Sequence, residues 1–214
     1  MSARYRVILP VQELHQAMPR SGLWPEERAR LSHAFAADTL DAIRQCRSVY
    51  DIVVVSPDPG LAALAVDNGA RFIPTEPGTG LNAAVDHAHA QTRDDSPQMV
   101  AAIVSDLPAL QPDELEEVLA AAGRRHESVY ATDLGDAGVT FQAERVATFE
   151  ACLAPDPARR QRPRGSAVTA APGLRCDVDT CDGLRIASYV GLGNATRRAL
   201  HDLGDRILRR AETR

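Results

Sequence analysis

The sequence contains no lysine, and all 24 basic residues are arginine. Any task that an ammonium point charge usually performs falls here to a guanidinium or goes undone. High-GC coding bias accounts for much of this imbalance by itself. No apolar run approaches the ~20 residues that a membrane-spanning helix needs. The first residues, MSARYRVILPV, run directly into a strand pattern and lack a signal-peptide layout. Cys46, Cys152, Cys176 and Cys181 show no zinc-type pairing, and the step from Cys176 to Cys181 is wrong for a redox CxxC. Reduced thiols in a cytoplasmic protein are the expectation. The six histidines form no ligand pattern, and no repeat or long linker divides the chain. A net charge of −5 argues against a nucleic-acid or membrane surface as the main partner.

What is present fits one domain over residues 1–214, with ordinary contents of 44% apolar and 25% charged residues. Strand patterns fall at Tyr5–Val11, Tyr50–Val55, Arg71–Ile73 and Met99–Val104, separated by helical patterns from Pro25, over Gly60–Asn68 and over Leu81–Gln91. Pro25 sits at the favoured first helical position, and Glu26 and Glu27 complement the dipole. A helix over Pro112–Ala122 is followed by strands at Ser128–Thr132 and Val139–Ala143, and by a short helix at Ala147–Leu153. Residues 154–166 carry prolines and four closely spaced arginines (Arg159, Arg160, Arg162 and Arg164) and read as an exposed loop or flap. A last strand is predicted at Gly173–Asp179, then helices over Thr180–Val190 and Asn194–Arg210, whose arginine face could pair two subunits. The alternation predicts an α/β fold with a mostly parallel, mixed sheet and helices on both faces.

The candidate chemistry lies at strand ends. Asp106 follows the buried-strand pattern MVAAIV, where open parallel sheets bind ligands. A helix cap or turn aspartate explains that position equally well. In LRCDVDT, Asp177 and Asp179 are two apart, so on a strand both carboxylates aim at one spot. Like charges held together call for a cation or a proton between them. A solvated turn is the alternative for this pair alone. Three aspartates at strand ends suit Mg²⁺, which takes carboxylates, waters and phosphate oxygens.

SDLPAL, GLNAAVDHA and PGLRCDVDTCDGLRIASYVGLGNATRRAL together resemble the 2-phospholactate and phosphoenolpyruvate guanylyltransferases of coenzyme F-420 (deazaflavin) biosynthesis. The resemblance implies a nucleotide-diphospho-sugar-transferase fold (Rossmann-like, GT-A type) and transfer of GMP from GTP to the phosphate of a small phosphorylated acid. It implies that Asp106, Asp177 and Asp179 hold Mg²⁺. It places Leu81 and Asn82 in the nucleotide site, with Leu9, Pro10 and Val11 lining the pocket and Ser105 in the family's G-D-L-P position. Arg20 is the remaining cation of a triphosphate-steering motif, and with Asp106 it is the expected catalytic pair.

The departures are specific. Gln12 and Met18 stand where the family has lysines. The acceptor loop reads Gly135-Asp136-Ala137-Gly138, with Thr140 two further on, so Asp136, Gly138 and Thr140 are the expected acceptor contacts. Asp136 would repel an anionic acceptor. The family's F-G-x-x-S segment reads Leu153-Ala154-Pro155-Asp156-Pro157. Two further readings stay open: a nucleotide-binding paralogue without turnover, and a same-fold enzyme with another nucleotide or acceptor.

Overall fold

A computed structural model describes residues 3–19, 21–93, 99–124, 128–154, 165–204 and 207. Among the described residues seven strands form one sheet: β1 (Tyr5–Pro10), β2 (Val49–Ser56), β3 (Arg71–Pro74), β4 (Met99–Ile103), β5 (Val129–Thr132), β6 (Val139–Arg145) and β7 (Ser166–Ala167). Their order is β3-β2-β1-β4-β6-β5-β7. The first four pair in parallel, β6 runs antiparallel to β4 and β5, and β7 pairs parallel to β5 at the edge. β1 thus lies between β2 and β4, and the chain reverses its direction of travel across the sheet on either side of it. That is the topological switch point, where a crevice opens beyond the strand ends.

All six residues of β1 are buried, so both faces of the sheet centre are covered. β1 is a near-continuous apolar run because no side of it meets water. Its one charge, Arg6, bonds the Asp51 carboxylate at 2.7 Å and the Thr92 carbonyl. The helices are α1 (Pro25–Arg44), α2 (Leu61–Asp67), α3 (Leu81–Thr92), α4 (Pro112–Arg124), α5 (Pro172–Arg175), α6 (Cys181–Val190) and α7 (Asn194–Leu203). Pro25 does open α1, and the Glu27 carboxylate accepts the Trp24 N–H at 3.0 Å. α1 packs against α4 and α7, while α3 lies on β1 and β2. The apolar stripe of α1 divides between two clusters: Leu40 and Ile43 join the sheet core, and Leu31 and Phe35 join a second cluster with α6 and α7.

Three expectations are corrected. Residues 147–153 form no helix. Their backbone groups are taken by side chains from elsewhere: Gln142 accepts the Cys152 N–H and Asn82 accepts the Leu153 N–H, both at 2.8 Å. Residues 173–179 form no strand. Pro172–Arg175 is a single helical turn, and 176–180 is an irregular loop. The closing helix is interrupted after Leu203, where Gly204 adopts φ 82° and caps it; Ile207 is again helical, and residues 205, 206 and 208–214 lie outside the described residues. The cysteines are free and buried. Among the described residues no helix is long and apolar enough to cross a membrane.

Candidate active site

Beyond the ends of β1 and β4 lies a cavity of about 410 Å³. Asp106, Asp177 and Asp179 line it, and their ligand atoms lie within 4.8 Å of one another. Asp106 is delivered by the turn after β4. The Val104 N–H donates to the Thr140 carbonyl at 3.0 Å, and Thr39 Oγ1 donates to the Ser105 carbonyl at 3.2 Å. The aspartate pair comes from the loop between α5 and α6. Cys176 and Val178 point into the core, which turns Asp177 and Asp179 to the cavity. Thr180 ends the loop by capping α6, its Oγ1 accepting the Gly183 N–H at 3.0 Å.

Oδ1 of Asp106 and Oδ1 of Asp177 are buried and make no hydrogen bond. Burial raises both carboxyls above their ordinary range. The Asp179 charge adds to the rise at Asp106, and the charges of Asp106, Asp179 and Asp133 add to it at Asp177. Converging carboxylates of this kind are satisfied by a proton shared between Asp106 and Asp177 or by a cation, and the all-oxygen set could hold a hard divalent ion.

The remaining expected residues divide by position. Pro10, Leu81, Ser105 and Gly138 line the cavity with Gln12 and Met18. Leu9, Val11 and Thr140 do not. They are packed in the core, where β1 side chains are covered on both faces and the Thr140 hydroxyl turns to the Ala131 carbonyl. Asn82 is buried beside the cavity and bonds backbone rather than lining it. Asp136 stands out in solvent at φ 54°, and its Oδ1 accepts Arg175 Nη2 at 2.8 Å and Thr132 Oγ1 at 2.6 Å. Asp136, expected as an acceptor contact, does not line the cavity, and its carboxylate is paired with Arg175. Arg20 and residues 155–164, with the flap arginines, lie outside the described residues.

Asp133 and Ser32 line the cavity and escaped sequence reading. Asp133 opens a turn, and its carboxylate accepts the N–H groups of Ala137 (2.9 Å) and Gly138 (2.8 Å). In the sequence it is indistinguishable from any other turn aspartate. Ser32 sits on a helix stripe and carries no signal.

The chain thus combines a mixed, mostly parallel sheet with a carboxylate cluster at its switch point, as nucleotide-binding α/β enzymes do. Solved structures agree on the fold. A Desulfovibrio desulfuricans protein assigned as a nucleotide-diphospho-sugar transferase superposes with a TM-score of 0.67 at 17% identity, covering 97% of each chain. The 4-diphosphocytidyl-2C-methyl-D-erythritol synthase of Anaerococcus prevotii gives 0.58 at 11% identity, covering 88% of this chain and 96% of its own. The family described as "Guanylyl transferase CofC like" matches residues 5–139. The phosphoenolpyruvate guanylyltransferase of Thermomonospora curvata is 38% identical over 90% of this chain and 86% of its own length. That of Streptomyces scabiei is 36% identical over 92% and 95%. The chain belongs to the CofC-like guanylyl transferase family, and it is a nucleotidyltransferase.

Proposed function

We propose that the protein transfers GMP from GTP to the phosphate of a small phosphorylated acid of the phosphoenolpyruvate or 2-phospholactate type, in coenzyme F-420 biosynthesis. An acceptor phosphate oxygen forms a bond to the α-phosphorus. The bond from the α-phosphorus to the bridging oxygen breaks, and pyrophosphate leaves with the electron pair. A phosphate dianion needs no general base, so the task is to position two anions and offset their charge.

The observation that carries this reading is the convergence of Asp106, Asp177 and Asp179, with two orphaned buried oxygens, at the switch point. These three residues would hold Mg²⁺, which when bound neutralises charge on the α-phosphate and the leaving pyrophosphate. Pro10, Gln12, Leu81, Gly138, Leu153 and Ala154 line the cavity in which the nucleotide and the acceptor would meet. Among the described residues no cationic side chain lines the cavity. Arg20 is the residue proposed to steer the triphosphate.

The test is pyrophosphate release from GTP and each phospho-acid in the presence of Mg²⁺. Turnover with GTP supports the reading. Turnover with another nucleotide alone would reassign the base, and silence across nucleotides and acceptors from folded protein would overturn it.

A further inference from the structure

Four consecutive carbonyls on the turn that delivers Asp106 are each taken by a different donor. The Ser105 carbonyl accepts Thr39 Oγ1 from α1 at 3.2 Å, and the Asp106 carbonyl accepts the Val178 N–H at 3.1 Å. The Leu107 carbonyl closes the turn on the Leu110 N–H at 3.0 Å, and the Pro108 carbonyl accepts the Gly193 N–H at 2.8 Å. Of these donors only the Thr39 hydroxyl is a side chain. Its bond falls on the peptide that leads into Asp106, and the Val178 bond falls on the peptide that leaves it. Both peptides flanking the Asp106 Cα are therefore held, while the carboxylate's own Oδ1 makes no hydrogen bond.

The preceding residue on α1 holds the far end of the same turn. Asp38 Oδ1 accepts the Ala195 N–H and Oδ2 accepts the Thr196 N–H, both at 2.8 Å, so α1 caps α7. A Cβ at Gly193 would stand 2.2 Å from Asp38 Cγ, so the glycine lets Asp38 reach the end of α7. The Gly193 N–H is left for Pro108. Thr39 is fully buried. A threonine inside a helix often turns its hydroxyl back to the carbonyl four residues earlier, whereas this one reaches across to the turn.

Resting on the reading of Asp106 as a metal ligand, we propose that Thr39 is a positioning residue for Asp106, with Asp38 securing the other end of the turn. Neither residue lines the cavity, and each acts through the backbone. Groups that orient a metal ligand from behind set affinity by about tenfold or more, because Mg²⁺ tolerates little departure from its geometry.

Calorimetry with Mn²⁺ alone on the full chain tests this without turnover. Thr39→Val keeps the shape and removes the hydroxyl, and the Mn²⁺ dissociation constant is expected to rise roughly tenfold. Thr39→Ser keeps the hydroxyl and should stay within about threefold of wild type. A Thr39 that only stabilises the fold would lower Tm in Thr39→Val and leave Mn²⁺ affinity unchanged. That result overturns the proposal, as does a loss in Thr39→Ser equal to that in Thr39→Val. Should Thr39→Val not fold, Asp38→Asn weakens the α7 cap and is expected to raise the dissociation constant about two- to threefold, and no change overturns the proposal. Wild-type protein that binds no Mn²⁺ counts against the metal reading, and not against Thr39. Amide hydrogen exchange then decides: the Val178 N–H should exchange faster in Thr39→Val than in wild type, while the amides of β1 keep their rates. An unchanged Val178 rate, or a rise shared with β1, overturns the proposal.

Discussion

The backbone N–H of Val178 donates to the carbonyl of Asp106 at 3.1 Å, joining the two loops that bring the carboxylates together. One loop follows a sheet strand and the other precedes α6, so this bond, rather than a ladder, sets their spacing. The Val178 side chain is buried in the cluster shared by α1, α6 and α7. Val178→Ala removes two buried methyl groups and is expected to cost about 2 kcal/mol in denaturant unfolding. Weaker metal binding should accompany it, measured by calorimetry with Mn²⁺.

The raised carboxyls of Asp106 and Asp177 fix the sign of a pH effect. A carboxyl whose folded pKa lies above its unfolded value favours the folded state while protonated. That stability is full below the ordinary carboxylate range near pH 4 and is lost as pH rises through the raised value. The metal-free protein should therefore lose Tm on going from about pH 5 to about pH 8, relative to Asp177→Asn, which lacks that charge. Added Mg²⁺ should raise the wild-type Tm increasingly with pH and leave that of Asp177→Asn nearly unchanged. Differential scanning fluorimetry checks both trends, and a Mg²⁺ shift that shrinks with pH would count against the assignment.

Arg175 closes the loop opposite the carboxylate cluster. Its guanidinium donates to the Thr132 carbonyl at 3.0 Å, the Asp133 carbonyl at 2.7 Å and the Asp136 carboxylate. Arg175→Met keeps the stem and removes the charge. It should cost about 2 kcal/mol and free Asp136 to repel an anionic acceptor. The acceptor KM should then rise, and high salt should partly restore it through screening.

Gly173 tests whether α5 sets the aspartate pair. A Cβ there would stand 2.0 Å from Glu114 Oε2 and 2.5 Å from the Ala109 carbonyl oxygen. Glu114 also accepts the N–H groups of Gly173 and Gln111, so it cannot simply move aside. Gly173→Ala is expected to cost about 1–3 kcal/mol and to weaken Mn²⁺ binding, with the displacement of α5 carried into the Asp177 loop.

Much of this architecture is legible locally. The buried runs at β1, β2 and β4 announce themselves because strands covered on both faces need apolar residues throughout. The aspartate pair is an instructive case. Leu174, Cys176 and Val178 are buried as a strand reading requires, and Asp177 and Asp179 do share a target, but no neighbouring strand pairs with this segment. Alternation records which side chains are covered, and an extended loop laid on the core satisfies it as well as a strand does. Residues 147–153 fail differently. Their apolar spacing fits a helix, while their partners, Asn82, Asp86 and Gln142, are set by tertiary placement that no local window contains. The same holds for Asn82, where the motif points to the cavity and the side chain's partners lie in the wall.

The central claim is that Asp106, Asp177 and Asp179 form a divalent-metal site for nucleotidyl transfer. Pyrophosphate release from GTP and phosphoenolpyruvate, followed against Mg²⁺ concentration for wild type and Asp177→Asn, tests it most directly. Mg²⁺-dependent release by the wild type, abolished in a folded Asp177→Asn protein, is the expected result. Release that persists in Asp177→Asn at the same Mg²⁺ concentrations would contradict the account.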